Sequence, residues 1–113
     1  MITSTESVVQ HHLQAIIERN LVNLLYNYSD ASIFITPDAT FFGAEEIGNF
    51  YSALFANLPE GFNEKLQLNK MEVAGELAYL IWDSKPWFPF ASDTFVVRDG
   101  KIAYHTYASP ARE

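Results

Sequence analysis

The chain has no cysteine. That absence rules out disulfides, thiol nucleophiles and thiolate metal sites, and it leaves the compartment undecided by redox chemistry. Basic residues are scarce: 7 Lys and Arg stand against 14 Asp and Glu, a formal net charge of −7. They form no cluster, so a phosphate backbone would be repelled, and neither nucleic acid nor an anionic membrane surface is an expected partner. No long apolar run of the kind that spans a bilayer occurs. The opening residues "MITSTESVVQ" have neither the basic start nor the continuous apolar stretch of a secretory leader. The expectation is a cytoplasmic protein. With 5 glycines and 5 prolines, there is no low-complexity tract, repeat or linker.

What the chain does have is apolar side chains. Hydrophobic residues make up 49% of its 113 residues and aromatics 15%, enough to bury a core in one domain, residues 1–113, without staples. Thr3-x-x-Glu6 has capping-box spacing, after which Val8, Val9, His12, Leu13, Ile16 and Ile17 recur on one helical stripe. Leu21, Leu24, Leu25 and Tyr28 suggest a second, short helix. "SIFITP" reads as a strand ended by Pro37. From Glu45, the positions Ile47, Phe50, Tyr51, Leu54, Phe55 and Leu58 predict a helix face, stopped at Pro59-Glu60-Gly61. Beyond Phe62 everything reads as strand. Leu66 and Leu68 hold one parity and Met71 and Val73 the other, which predicts a bulge near Asn69-Lys70. The order ααβαββββ is α+β, with helices gathered on one face of a curved antiparallel sheet.

"FASDTFVVRDGKIAYHTY" (Phe90 to Tyr107) is a hairpin around Asp99-Gly100, a type I′ turn signal. Unbroken pairing from that turn places Val97 opposite Ile102, Phe95 opposite Tyr104 and Asp93 opposite Thr106. Those side chains then share the apolar, helix-covered face, which puts the Asp93 carboxyl inside. The same alternation sends His105 and Tyr107 to the outer face, with Tyr79, Ile81 and Val96. That face is too apolar to be solvated alone, so a homodimer through it is expected.

The order of elements, with "YSDASIFITPDATFFG" and "SDTFVVRDGKI", resembles the SnoaL-like, ketosteroid isomerase-like branch of the nuclear transport factor 2-like superfamily over nearly the whole chain. The resemblance implies a cone-shaped, cystatin-like fold: a curved sheet wrapping three helices around a deep apolar pocket for a small hydrophobic molecule. No cofactor is expected, and no metal either: His11 faces solvent if His12 faces in, and the alternation puts His105 on the other sheet face from His12. Laid onto this sequence, the oxyanion-hole aspartic acid of ketosteroid isomerases, a carboxyl kept neutral by its apolar site, falls on Asp93. The oxyanion-hole tyrosine falls on His12. The general-base aspartate falls on Thr36, whose hydroxyl does not ionise near neutral pH, so ketosteroid isomerisation by the known route is not expected.

Candidate catalytic residues are therefore Asp93 and His12. Candidate pocket residues are Thr36, Phe34, Phe50, Phe55, Trp82, Phe95, Tyr104 and Thr106. His12 and Asp93 could exchange a hydrogen bond as neutral groups or form an ion pair that makes Asp93 a base. Trp87 and Phe88 fit a lid or a dimer contact equally. Three functions stay open at this point: an acid–base enzyme of isomerase, cyclase or dehydratase type, a non-catalytic binding pocket, and a dimerisation or scaffolding module with a vestigial pocket.

Overall fold

The computed structural model describes residues 4–110. Helix α1 (Thr5–Glu18) starts at Ser4, whose hydroxyl accepts from the Ser7 amide at 3.1 Å; the Thr3 half of the expected capping box lies outside the described residues. Buried Val8, Val9, His12 and Ala15 form its inner stripe. Arg19 ends it in the left-handed region, and Asn20 caps α2 (Leu21–Leu25). Strand β1 (Ile33–Ile35) follows, and after a turn at Pro37 comes a short strand the sequence pattern did not reveal, β2 (Thr40–Phe42). Helix α3 (Gly43–Asn57) carries Glu46 in its first turn, and that carboxylate accepts from the Phe42 amide at 2.8 Å. A single turn, α4 (Phe62–Lys65), precedes β3 (Leu66–Ala74), β4 (Leu77–Ser84), β5 (Phe88–Arg98) and β6 (Lys101–Ala108).

The strands form one open sheet in the order β2-β1-β6-β5-β4-β3. All neighbours are antiparallel except β1 and β6, which run parallel. The helices pack on one face over a core that includes Val8, Leu24, Phe34, Ile47, Leu80, Phe95 and Ile102. This is the expected α+β arrangement with two short elements added. The bulge in β3 is present: pairing with β4 skips Asn69, and the freed Asn69 side-chain amide donates to the buried Asp83 carboxylate at 2.8 Å.

A second bulge overturns one expectation. The Asp99-Gly100 turn forms as predicted, with φ of 53° and 76°, and Val97 does face Ile102. Ala103 then has no partner in the ladder, so Phe95 faces His105 and Asp93 faces Tyr107. One extra residue exchanges the two faces of a strand. His105 is consequently buried, 1% exposed, while Tyr104 and Thr106 lie on the outer face. The cause lies across the sheet. The Ile102 amide donates to the Asn27 carbonyl, and the Ile102 carbonyl accepts from the Ser32 hydroxyl. Ile102 is thus stitched to the α2–β1 connection and Ala103 is squeezed out of register. The same stitching holds Tyr28 against β6.

Candidate functional site

Between the helices and the sheet lies a cavity of about 290 Å³, near the lower end of the range of small-molecule clefts. Its walls are apolar: Leu13, Ile16, Phe34, Phe50, Leu54, Phe62, Leu80, Phe88 and Phe95 are among them. Its polar groups are His12, Tyr51, Trp82, Asp93 and Tyr107, and among the described residues no Lys or Arg lines it.

Asp93 is 9% exposed, and each of its carboxylate oxygens has a partner. Trp82 Nε1–H donates to Oδ2 at 2.7 Å, and His105 Nε2 lies 2.7 Å from Oδ1. His105 is clamped between the Phe34 and Phe95 rings, with centroids at 4.3 and 4.2 Å and near-parallel planes. Its other nitrogen, Nδ1, is 2.9 Å from the Tyr28 hydroxyl. That hydroxyl is in turn 3.1 Å from His12 Nε2. His12 Nδ1 is enclosed and has no hydrogen-bond partner among the described residues. The result is a continuous buried chain: Trp82, Asp93, His105, Tyr28, His12.

Electrostatics fix the protonation of several groups in this region. Burial, reinforced by repulsion from His105 and His11, pushes the His12 imidazole well below its usual range, so it stays neutral near pH 7. Burial raises the Tyr28 and Tyr51 phenols, and the Asp93 charge adds to it. Tyr107 is raised by burial first and by the Asp93 charge after it. All three tyrosines keep their O–H and can donate.

Of the expected residues, Asp93, His12, Phe34, Phe50, Trp82 and Phe95 line the cavity. Four do not. Phe55 packs against Tyr51 from the flank of α3. Thr36 sits in the β1–β2 turn, where its hydroxyl donates to the Ala39 carbonyl at 2.9 Å and accepts from the Ala39 amide at 3.1 Å. Tyr104 and Thr106 are on the far side of the sheet, carried there by the Ala103 bulge. Sequence reasoning placed His105 and Tyr107 on the wrong face for the same reason, and it gave Tyr28 no role beyond helix spacing. His12 and Asp93 do not touch; His105 and Tyr28 stand between them. Phe88 is a cavity wall packed on Phe62 and Trp82, whereas Trp87 is partly exposed beside it.

No protein-family model matches the chain, and no curated protein matches it in sequence. Solved structures do. A nuclear transport factor 2-like protein of unknown function from Cytophaga hutchinsonii superposes with a TM-score of 0.74 at 17% identity, covering 96% of this chain and 92% of that one. The fold is that of the nuclear transport factor 2-like proteins. Within this fold, the neighbours include a candidate SnoaL-like polyketide cyclase from Shewanella putrefaciens, with a TM-score of 0.73 and 15% identity over 93% of this chain and 79% of that one. A candidate ketosteroid isomerase from Kribbella flavida gives 0.75 and 12% over 96% and 79%. Both share their fold with this chain. Among the described residues, no helix is long and apolar enough to cross a membrane.

Proposed function

We propose that this nuclear transport factor 2-like chain binds a small, neutral, mostly apolar molecule carrying one oxygen function, and transfers a proton on it in the manner of an isomerase or cyclase. The observation that carries this reading is the placement of one carboxyl group, Asp93, in the wall of an otherwise apolar cavity with neutral tyrosine donors beside it. A ligand carbonyl or hydroxyl would accept from Tyr51 or Tyr107, and Asp93 would hold or release the proton. Proton transfer centres on Asp93, not on the Thr36 position, because Thr36 faces its own turn. A neutral ligand suits a carboxylate whose two oxygens already accept from Trp82 and His105. The candidate isomerase and cyclase among the structural neighbours are consistent with this chemistry.

Thermal denaturation with 2-naphthol and 2-cyclohexen-1-one tests the reading. At roughly tenfold above its Kd, a bound probe should raise Tm by about 5 °C for a domain of this size. No shift with either probe would remove the cavity as a ligand site. A shift with tetramethylammonium alone would replace the neutral ligand by a cationic one. Asp93→Asn should fold with stability within about 1 kcal/mol of the parent, because an amide can accept from Trp82 and donate to His105. It should nevertheless lose any turnover found on an enolisable probe. A variant that keeps turnover would overturn the role of Asp93.

We further infer that a second copy covers the outer sheet face. Phe42, Ile33, Tyr104, Val96 and Leu77 are successive ladder partners across β2, β1, β6, β5 and β4, and Phe42, Tyr104 and Leu77 are exposed. The row itself contains no charged residue; the Arg98 guanidinium that borders it, 5.7 Å over the Tyr104 ring, is already paired with Glu76 at 3.1 Å. Analytical ultracentrifugation at micromolar concentration should give a dimer, and Leu77→Lys a monomer of unchanged fold. A monomeric parent protein would refute it.

A further inference from the structure

We propose that Asp93, His105, Tyr28 and His12 act as one proton-holding unit, in which uptake of a single proton reverses both hydrogen bonds of Tyr28 and switches the His12 tautomer. The inference deepens the acid–base reading of the cavity and rests on it for its purpose, although its test does not.

The protons along the chain can be counted. Tyr28 has one hydroxyl proton and sits between two imidazole nitrogens, at 2.9 and 3.1 Å. It can donate to only one of them, so the other nitrogen must carry a proton and donate to it. That leaves two self-consistent arrangements. In the first, His12 donates from Nε2 to Tyr28, Tyr28 donates to His105 Nδ1, and His105 donates from Nε2 to the Asp93 carboxylate. His12 Nδ1 is then a bare lone pair. In the second, His12 is protonated on Nδ1, Tyr28 donates to His12 Nε2, and His105 donates from Nδ1 to Tyr28. The remaining proton lies between His105 Nε2 and Asp93 Oδ1. The second arrangement holds one proton more than the first. The extra proton enters at His12 Nδ1, the His12 Nε2 proton passes to Tyr28, the Tyr28 proton to His105 Nδ1, and the His105 Nε2 proton towards Asp93. Release retraces these steps. No electrons are transferred.

The geometry favours movement of protons over rotation of rings. His105 is held face to face by Phe34 and Phe95, and His12 is boxed edge-on by Tyr28, Tyr51, Phe95 and His105. The unpartnered Nδ1 is the one atom of the chain that changes from acceptor to donor without losing a hydrogen bond in either arrangement. An unsatisfied buried nitrogen is otherwise a steady penalty. The consequence is that the protonation of the Asp93–His105 pair and the tautomer of His12 are coupled through Tyr28, with Asp93 and His12 both in the wall of the cavity. Tyr28 and His12 are positioning residues for Asp93. The other titratable groups facing the chain are Tyr51 from α3, Tyr107 from β6 and His11 beside His12, the last engaged with Asn27 at 3.0 Å.

Imidazole nitrogen NMR on protein labelled with 15N-histidine, without ligand, reads the tautomers directly. Across a pH titration His12 should remain neutral yet exchange its Nε2–H for an Nδ1–H, with the same midpoint at which the Asp93–His105 pair gains its proton. Asp93→Asn should fix His12 as Nδ1–H at every pH, because an amide N–H can only donate to His105 Nε2 while its oxygen accepts from Trp82. Tyr28→Phe should uncouple the two histidines. A His12 tautomer that is constant through the titration, or unchanged by Asp93→Asn, would overturn the proposal; the near-isosteric Asn variant keeps the test valid even where Tyr28→Phe does not fold. A tautomer switch in a protein that binds neither probe would keep the relay and discard the ligand reading. Probe binding with a constant tautomer would do the reverse.

Discussion

His105→Leu should destabilise the fold by about 3–5 kcal/mol, the range seen when one partner of a buried charge-capable pair is removed. Three losses combine. The Asp93 carboxylate loses its donor at 2.7 Å in a site where the described residues offer no Lys or Arg to replace it. The Tyr28 hydroxyl loses its partner at 2.9 Å. The stacked contacts with Phe34 and Phe95 also disappear from a position only 1% exposed. Leucine matches the imidazole roughly in size, so the effect reports unpaired polar groups more than an empty volume. Urea unfolding followed by tryptophan fluorescence measures it, since Trp82 donates to the same carboxylate. Adding Asp93→Leu to His105→Leu should recover part of the loss, as removing both members of a buried pair leaves less unsatisfied than removing one. A single-variant loss below about 1 kcal/mol would mean that Asp93 is solvated from the cavity and does not depend on His105.

The part of the site legible in the sequence was the part whose pattern was apolar. The β3 bulge could be read because Leu66 and Leu68 change parity to Met71 and Val73, and only an inserted residue reconciles the two sets. In β6 the competing sets are Tyr104 with Thr106 and His105 with Tyr107. Each pairs an aromatic with a polar side chain, so alternation gives no reason to place a bulge at Ala103. The deciding interactions come from Asn27 and Ser32, far away in sequence. The helices, the Asp99-Gly100 hairpin and the inward position of Asp93 all follow from local periodicity and turn chemistry. The partner of Asp93 does not. Thr36 illustrates the converse. Its place in the order of elements suggested a pocket residue, but the short strand after Pro37 folds the chain back and uses its hydroxyl to close the turn.

Acid should weaken the fold through His12. Burial first, then repulsion from His105 and His11, holds its imidazole well below the usual value, while in the unfolded chain it protonates near its ordinary pKa of about 6.5. Between those two values the unfolded state binds more protons than the folded one, so stability falls as pH falls. One such group removes about 2 kcal/mol between about pH 7 and about pH 5. Above pH 7 it has no effect, because both states are then neutral. His12→Leu should flatten this dependence. It should also leave stability at neutral pH nearly unchanged, since Tyr28 still donates to His105 and an unpartnered Nδ1 is gone. Urea unfolding of both proteins across this range is the check. An unaltered slope in His12→Leu would mean that His12 is not the group through which acid weakens the fold. A flattened slope with unchanged neutral-pH stability would assign His12 no net structural worth. The presence of an imidazole at a buried site on α1 would then have to be explained by what its Nε2 exchanges with the Tyr28 hydroxyl.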